Sequence, residues 1–281
     1  FTVLLMGRVS FGQAHSNDNL SYNNGALLTV QSGCLITVQG DFTTNGNAQA
    51  GTHLDNNGFI WVQGNMYGDN VFKHTGTGIV RLQNKTALYT APYATEAYQV
   101  IQGGYRVNGG SAAIAGTDDG SFATLELDNS NGQVFTKTNT DVRTKVDFKP
   151  AAVTVDGATI SPNGKPNRII TCDPGTAASP AAAPANGASY PAVFGVMNTA
   201  GGLGSFGNVS ANLAANTTVL DSAYIQGKLR RAISSTAGGT YGFPIGLEPS
   251  NSNTDTRGIQ YAIVQTTTAG SYDVITGYFQ R

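Results

Sequence analysis

The sequence predicts an all-β chain of short stacked strands, on three observations: few charged residues, a recurring strand-like segment, and turn residues that follow each recurrence. Charged residues make up 12% of the 281, against a usual share of about 25%. Gly, Asn, Thr, Ser and Gln take their place. Gly, Asn and Thr rank low in helix propensity and suit tight turns and β-edges. The 12 Tyr and 12 Phe, with many Val and Ile, supply the apolar mass that a disordered chain lacks.

The recurring segment has the form apolar-x-apolar-Gln. It is seen at Leu28-Thr29-Val30-Gln31, Ile36-Thr37-Val38-Gln39, Ile60-Trp61-Val62-Gln63 and Val80-Arg81-Leu82-Gln83. Apolar residues two apart mark a half-buried strand, and Ser32, Gly40, Gly64 and Asn84 follow as turn residues. The steps from Ile36 to Ile60 and from Ile60 to Val80 are 24 and 20 residues. Steps of that size suit one coil of a right-handed parallel β-helix (β-solenoid), because one coil cannot bury its own apolar face and stacked coils can. Asn24-Gly25, Asn45-Gly46 and Asn57-Gly58 are read as corners that use backbone with φ > 0. An antiparallel β-sandwich is the competing arrangement.

Further strands are expected at Tyr98–Ile101, Ala123–Leu127, Val142–Phe148 and Val153–Ile160. The solenoid is assigned to residues 14–175. Residues 176–190 lie in an Ala/Pro-rich stretch that reads as a loop. Residues 191–281 form a further β unit, either the last coils of the solenoid or a β-sandwich-like unit, which the end of the sequence is expected to truncate. Its strands are placed at Val193–Met197, Thr217–Leu220, Ala223–Ile225, Leu229–Ile233 and Tyr261–Thr266.

The opening residues allow two readings. Phe1 to Met6 is an apolar run, and Ser10, Phe11 and Gly12 lead to a cleavage position before Gln13, as at the end of a secretory signal peptide. On that reading the chain, which opens on Phe, is a piece of a longer precursor. Alternatively, residues 1–13 hold the first strand.

The net charge is −1, from 16 basic and 17 acidic side chains without a basic stripe, which argues against a nucleic-acid partner. Beyond the opening run no apolar stretch is long enough to span a membrane. Cys34 and Cys172 are read as buried thiols, with a disulfide left open.

The segment Tyr224-Ile225-Gln226-Gly227-Lys228-Leu229-Arg230-Arg231, followed by Gly239-Thr240-Tyr241-Gly242-Phe243-Pro244-Ile245-Gly246, resembles a pattern of large secreted proteins of Bacteroidota. Phe122-Ala123-Thr124-Leu125 with Asn129-Ser130-Asn131-Gly132, and the Ser-Phe-Gly-Gln ending of the leader, are similar to other parts of those proteins. The resemblance implies an adhesin-like β-helix protein exported by the type IX secretion system to the cell surface. The sorting domain that family carries at its C-terminus is not visible here.

No constellation for catalysis stands out, so no catalytic residue is assigned and the chain is read as a non-enzyme, with a glycan-binding or polysaccharide-degrading β-helix protein as the alternative. His15, His53 and His74 lack diagnostic metal spacing and are read as exposed loop residues. Asp118-Asp119, the adjacent acid pair, suits a turn, and structural calcium there is the one cofactor considered. Asp41 gives way to Asn65 in the next coil, which weakens a repeated ligand ladder. Asp221-Ser222-Ala223 resembles a short O-glycosylation signal. Trp61 and Tyr67, with Tyr89 and Tyr93 nearby, are the candidates for a glycan-stacking surface. Arg230 and Arg231 fall on opposite faces of a strand, so one is expected to point inward to a carboxylate or carbonyl. The expected partners are other copies of the chain, forming a filament through Phe1–Met6, or other surface proteins, or glycans.

Overall fold

The computed structural model describes residues 2–5, 8–11, 20–23, 27–45, 54–68, 74–83, 98–102, 121–128, 133–148, 168–172, 192–207, 223–234, 238–246, 259–267 and 274–278. Among them the secondary structure is entirely strand and turn. The chain visits three sheets in rotation. In the first round β1 (Thr2–Leu5), β2 (Arg8–Phe11) and β3 (Leu20–Asn23) open sheets A, B and C. Next come β4 (Leu27–Val30), β5 (Leu35–Val38) and β6 (Phe42–Asn45), then β7 (Leu54–Asn56), β8 (Phe59–Val62) and β9 (Met66–Gly68). The fourth round is β10 (His74–Thr75), β11 (Ile79–Leu82) and β12 (Tyr98–Gln102). Each strand pairs in parallel with its counterpart in the round before.

After β10 no further described strand joins sheet A, and the chain alternates between the other two. Sheet B gains β13 (Phe122–Leu127), β15 (Thr140–Phe148), β17 (Val193–Val196), the short β18 (Phe206–Gly207) and β20 (Lys228–Ala232). Sheet C gains β14 (Gln133–Thr136), β16 (Arg168–Cys172), β19 (Ala223–Gln226) and β21 (Gly239–Gly246). All of these pairs are parallel. The last two strands reverse. β22 (Ile259–Thr266) runs antiparallel to β21, and β23 (Val274–Gly277) antiparallel to β20.

The sequence repeat is the register of sheet B. Ile36, Ile60 and Val80 are paired partners, as are Val38, Val62 and Leu82, and every one is buried. The row continues through Leu125 and Val146, so the same inward position is apolar from β5 to β15. In sheet C the corresponding row is Phe42, Met66, Ile101, Thr136 and Cys172. Each such aliphatic side chain taken out of water contributes about 1.5–3 kcal/mol, and stacking lets one residue per round fill the core. Leu28-Thr29-Val30-Gln31 belongs elsewhere: it lies in β4 of sheet A. Its pattern matches because any strand with one buried face alternates in the same way.

The expected strands at 98–101, 123–127, 142–148, 193–197, 223–225, 229–233 and 261–266 all fall on described strands, with bounds shifted by a residue or two. Those at 153–160 and 217–220, and the loop at 176–190, lie outside the described residues. The apolar start takes strand form, Thr2–Leu5 in register with β4 and Arg8–Phe11 with β5. Sheets B and C carry strands from both sides of the assigned boundary, since β17 pairs with β15 and β19 with β16.

Corners are held by Asn and Asp side chains that continue the ladder where the backbone turns. Between sheets B and C, Asp41 Oδ1 accepts from the Asn65 N–H at 2.7 Å, and Asn65 Oδ1 accepts from the Val100 N–H at 2.8 Å. Gln99 Nε2 donates to the carbonyls of Val62 and Gly64. Between sheets A and B, Asn56 accepts from Gly58 N–H and donates to the Ile79 carbonyl, while Asn57 accepts from Thr77 N–H. The Asn57-Gly58 corner needs glycine for room rather than for the expected φ > 0: the positive-φ glycines among the described residues are Gly33, Gly76, Gly202 and Gly227, and a Cβ on Gly58 would strike the carbonyls of Gln31 and Cys34. The other two Asn-Gly pairs lie at least partly outside the described residues.

Candidate functional site

Two features carry unusual chemistry: an arginine cluster where the parallel ladder ends, and the outer face of sheet B. The cluster begins at Gly227. It alone separates β19 in sheet C from β20 in sheet B, and its φ of 118° is backbone that L side chains rarely adopt. Strand alternation in β20 then sends Leu229 and Arg231 inward and Arg230 outward, as the sequence predicted for the two arginines. Arg231 pairs in register with Val196, which in turn matches Val142, so a cation occupies a row that holds valine in earlier rounds.

Arg231 is fully buried. Its guanidinium donates to the carbonyls of Ala200 at 2.7 Å, Gly202 at 2.8 Å and Gly242 at 2.6 Å. The rings of Phe206, Tyr241 and Phe243 surround it, with centroids 5.3, 5.5 and 5.9 Å away. Ring faces and carbonyl oxygens are both regions of negative potential, so they hold the charge without a carboxylate. Burial pushes the guanidinium below its ordinary value, and the nearby Tyr261 and Tyr241 oppose that shift. The same burial raises the Tyr261 phenol, against the pull of Arg231. The contacts tie the segment 200–202 to β21, where Gly202 N–H also donates to Thr240 and Gly242 N–H to Gly202.

On the outer side, Arg230 Nη2 meets both carboxylate oxygens of Asp141, at 2.7 and 2.8 Å. The two residues sit on β20 and β15, with β17 between them, and Gly195 is the register partner of both. A Cβ on Gly195 would run into Asp141 Oδ1, so the ion pair closes over this residue because it has no side chain. The Asp141 side chain is 0% exposed and that of Arg230 16%, which makes this a desolvated pair rather than a surface one. Sequence reasoning missed Asp141. A glycine inside the strand pattern Val193-Phe194-Gly195-Val196 was the available signal of a close approach.

The outer face of sheet B holds Trp61. It is half-buried and stands in register with Thr37 and Arg81, the residues between the two apolar positions of each repeat. The row continues to Glu126, which pairs with Arg81 at 2.8 Å, and to Asp147, which pairs with Lys145 at 3.4 Å. Phe59 neighbours Trp61 on the same face, with the Arg81 guanidinium 4.9 Å above its ring. Trp61 Nε1 is shielded from solvent and meets no acceptor among the described residues. Tyr67 lies on β9 in sheet C, in register with Thr43 and Gln102, so Trp61 and Tyr67 face different sides. Tyr89 and Tyr93 lie outside the described residues.

One histidine reading needs correction. His74 is fully buried, at the position that Leu28 and Leu54 fill in sheet A, and its ring stands edge-on to Phe122 at 5.8 Å. Desolvation, then the nearby Arg143 cation, lower its pKa from 6.5 to about 3. It is therefore a neutral core residue. His15, His53, Asp118-Asp119 and Asp221-Ser222 lie outside the described residues, and with them the calcium expectation. Among the described residues no three His, Cys, Asp or Glu side chains come together as a metal site. Asp41 spends its carboxylate on the Asn65 N–H, and burial outweighs that bond to raise its pKa. Cys34 and Cys172 are both buried thiols with no disulfide between them, and burial pushes the Cys172 thiol up to about 11. No helix long and apolar enough to cross a membrane occurs among the described residues.

Fold and site together define a class: an all-β chain of parallel strand stacks, followed by two strands that each run antiparallel to the stack and by an arginine pin. No family model, curated protein or solved structure matches the chain.

Proposed function

We propose that the chain is a right-handed parallel β-solenoid that works outside the cell, at a bacterial surface, as a structural or adhesive element. The observation that carries the reading is the rotation of the chain through three sheets whose strands pair in parallel, round on round. Such a stack is a stiff rod whose length grows with each round and whose outer residues are free to vary. The low charge and the Asn-, Thr- and Gly-rich composition suit a polar rod exterior. The resemblance to secreted Bacteroidota proteins points to type IX export and cell-surface residence, with other copies or other surface proteins as partners. The test is surface shaving of intact source cells with protease, followed by mass spectrometry. Peptides of this chain released without lysis support the reading, and peptides found only after lysis contradict it.

A glycan-binding surface is the second reading, and the Phe59–Trp61 pair beside Arg81 on the outer face of sheet B favours it. An aromatic next to a cation suits the apolar and hydroxylated faces of a sugar. Trp61→Ala is expected to abolish binding on a glycan array, and unchanged binding would remove this site.

A further inference from the structure

We propose that β22 is a self-pairing edge through which two copies of the chain join, antiparallel, about a two-fold axis at Ile263. The inference rests on the self-association included in the reading above and names the surface that carries it. β22 gives one edge to β21 along its full eight residues, and among the described residues no strand pairs the other edge. Its sequence, Ile259-Gln260-Tyr261-Ala262-Ile263-Val264-Gln265-Thr266, has no charge, proline or glycine. Edge strands that stay unpaired usually carry lysine, proline or a bulge to prevent addition of another strand. β22 carries none of the residues that block pairing. Ile263 is 53% exposed, the most exposed large apolar side chain among the described residues.

A second β22 is the occupant that fits. At the opposite ends of sheets B and C stand β2 and β3, described over four residues each, so head-to-tail stacking on the described residues would leave half of the eight-residue edge unpaired. An identical strand matches the length. A two-fold axis perpendicular to the sheet keeps each face on its own side, so opposed residues must lie an even number of positions apart. Setting Ile263 opposite the second copy's Ile263 meets that condition. Ala262 then faces Val264, and Tyr261 faces Gln265. Apolar meets apolar at the axis, and no like charges are opposed.

Sedimentation equilibrium of the 281-residue chain across a concentration series tests this, with far-UV circular dichroism as the folding control. The wild type is expected to dimerise, and Ile263→Lys to weaken the dimer by about 100-fold, because two ammonium groups then meet at the axis. Gln265→Lys, also at an exposed position, serves as a second variant. Under mild oxidation Ile263→Cys is expected to give a disulfide-linked dimer, since directly opposed residues bring their Cβ atoms to about 4.5–5.5 Å. Tyr278→Cys, exposed to a similar degree but outside β22, is expected not to. The native thiols are buried and stay silent. Equal cross-linking at residue 278 would overturn the proposal. A dimer unchanged by either lysine would overturn β22 as the interface while leaving self-association standing. A wild type that stays monomeric throughout would remove both, with surface residence judged separately by protease shaving.

Discussion

The early rounds and the closing rounds solve the same packing problem with different materials. From β5 to β11 the inward rows of sheet B are aliphatic, and the corners at Asp41, Asn57 and Asn65 are held by side chains that accept from a backbone N–H of the next round. From β17 onward the inward row takes in Arg231, the outward row closes with a buried ion pair, and the strand direction reverses. A middle round can rely on a like neighbour above and below. At the switch from parallel to antiparallel pairing, side chains meet backbone groups as well. Arg231 does this for the carbonyls of Ala200, Gly202 and Gly242. The comparison teaches that a buried cation enters this core where parallel pairing gives way to antiparallel, whereas earlier rounds bury neutral amides such as Asn56 and Gln99.

Substitutions at the closing end are expected to cost more than the size of the change suggests. Gly195→Ala should lose about 4 kcal/mol, because the new methyl group forces Asp141 and Arg230 apart and breaks a desolvated pair. In an Asp141→Ala background the same change should cost far less, and urea unfolding of all four proteins in that cycle measures the coupling. Equal costs in both backgrounds would show that the pair does not span Gly195. Arg231→Met should lose about 3 kcal/mol, since it leaves the carbonyls of Ala200 and Gly242 without this donor. The loss is partly offset because a buried charge is removed with it.

The smallest effect is conditional on pH. His74 has a folded pKa of about 3 against an ordinary 6.5, so below pH 6.5 the unfolded chain binds a proton that the native chain excludes. Stability therefore falls as pH drops from 6.5 toward 3, by about 2 kcal/mol at pH 5. His74→Leu, which repeats the leucine of Leu54, should flatten that part of the pH–stability curve. A curve unchanged in slope would show that His74 is not buried neutral.

Much of the early fold was legible in the sequence because one residue per round repeats the same demand. Ile36, Ile60 and Val80 are recognisably equivalent before any register is known. The sheet to which a strand belongs was harder to read, as Leu28–Gln31 shows, since alternation reports one buried face and not which one. The reversal at β22 and β23 leaves no mark on side-chain periodicity, which is two in either direction. The Asp141–Arg230 pair joins residues 89 positions apart, and only the position of Gly195 hinted at it. His74 was misread because a polar type was assumed to face water. Its inward position comes from register with Leu54 and not from its own chemistry.

The central claim is that sheet B runs as a parallel ladder from the early rounds to β15, with one register shift, between Phe122 and Thr124 where β13 meets β15. Spin labels on Leu35→Cys and Lys145→Cys test it most directly, because Leu35, Phe59, Ile79, Thr124 and Lys145 are successive register partners on the outer face. Four steps of about 4.8 Å place the two backbone positions about 19 Å apart. Buried Cys34 and Cys172 leave the labelling specific. A narrow distance distribution centred near that value is the result the ladder predicts. A broad distribution, or one centred far beyond it, would contradict it.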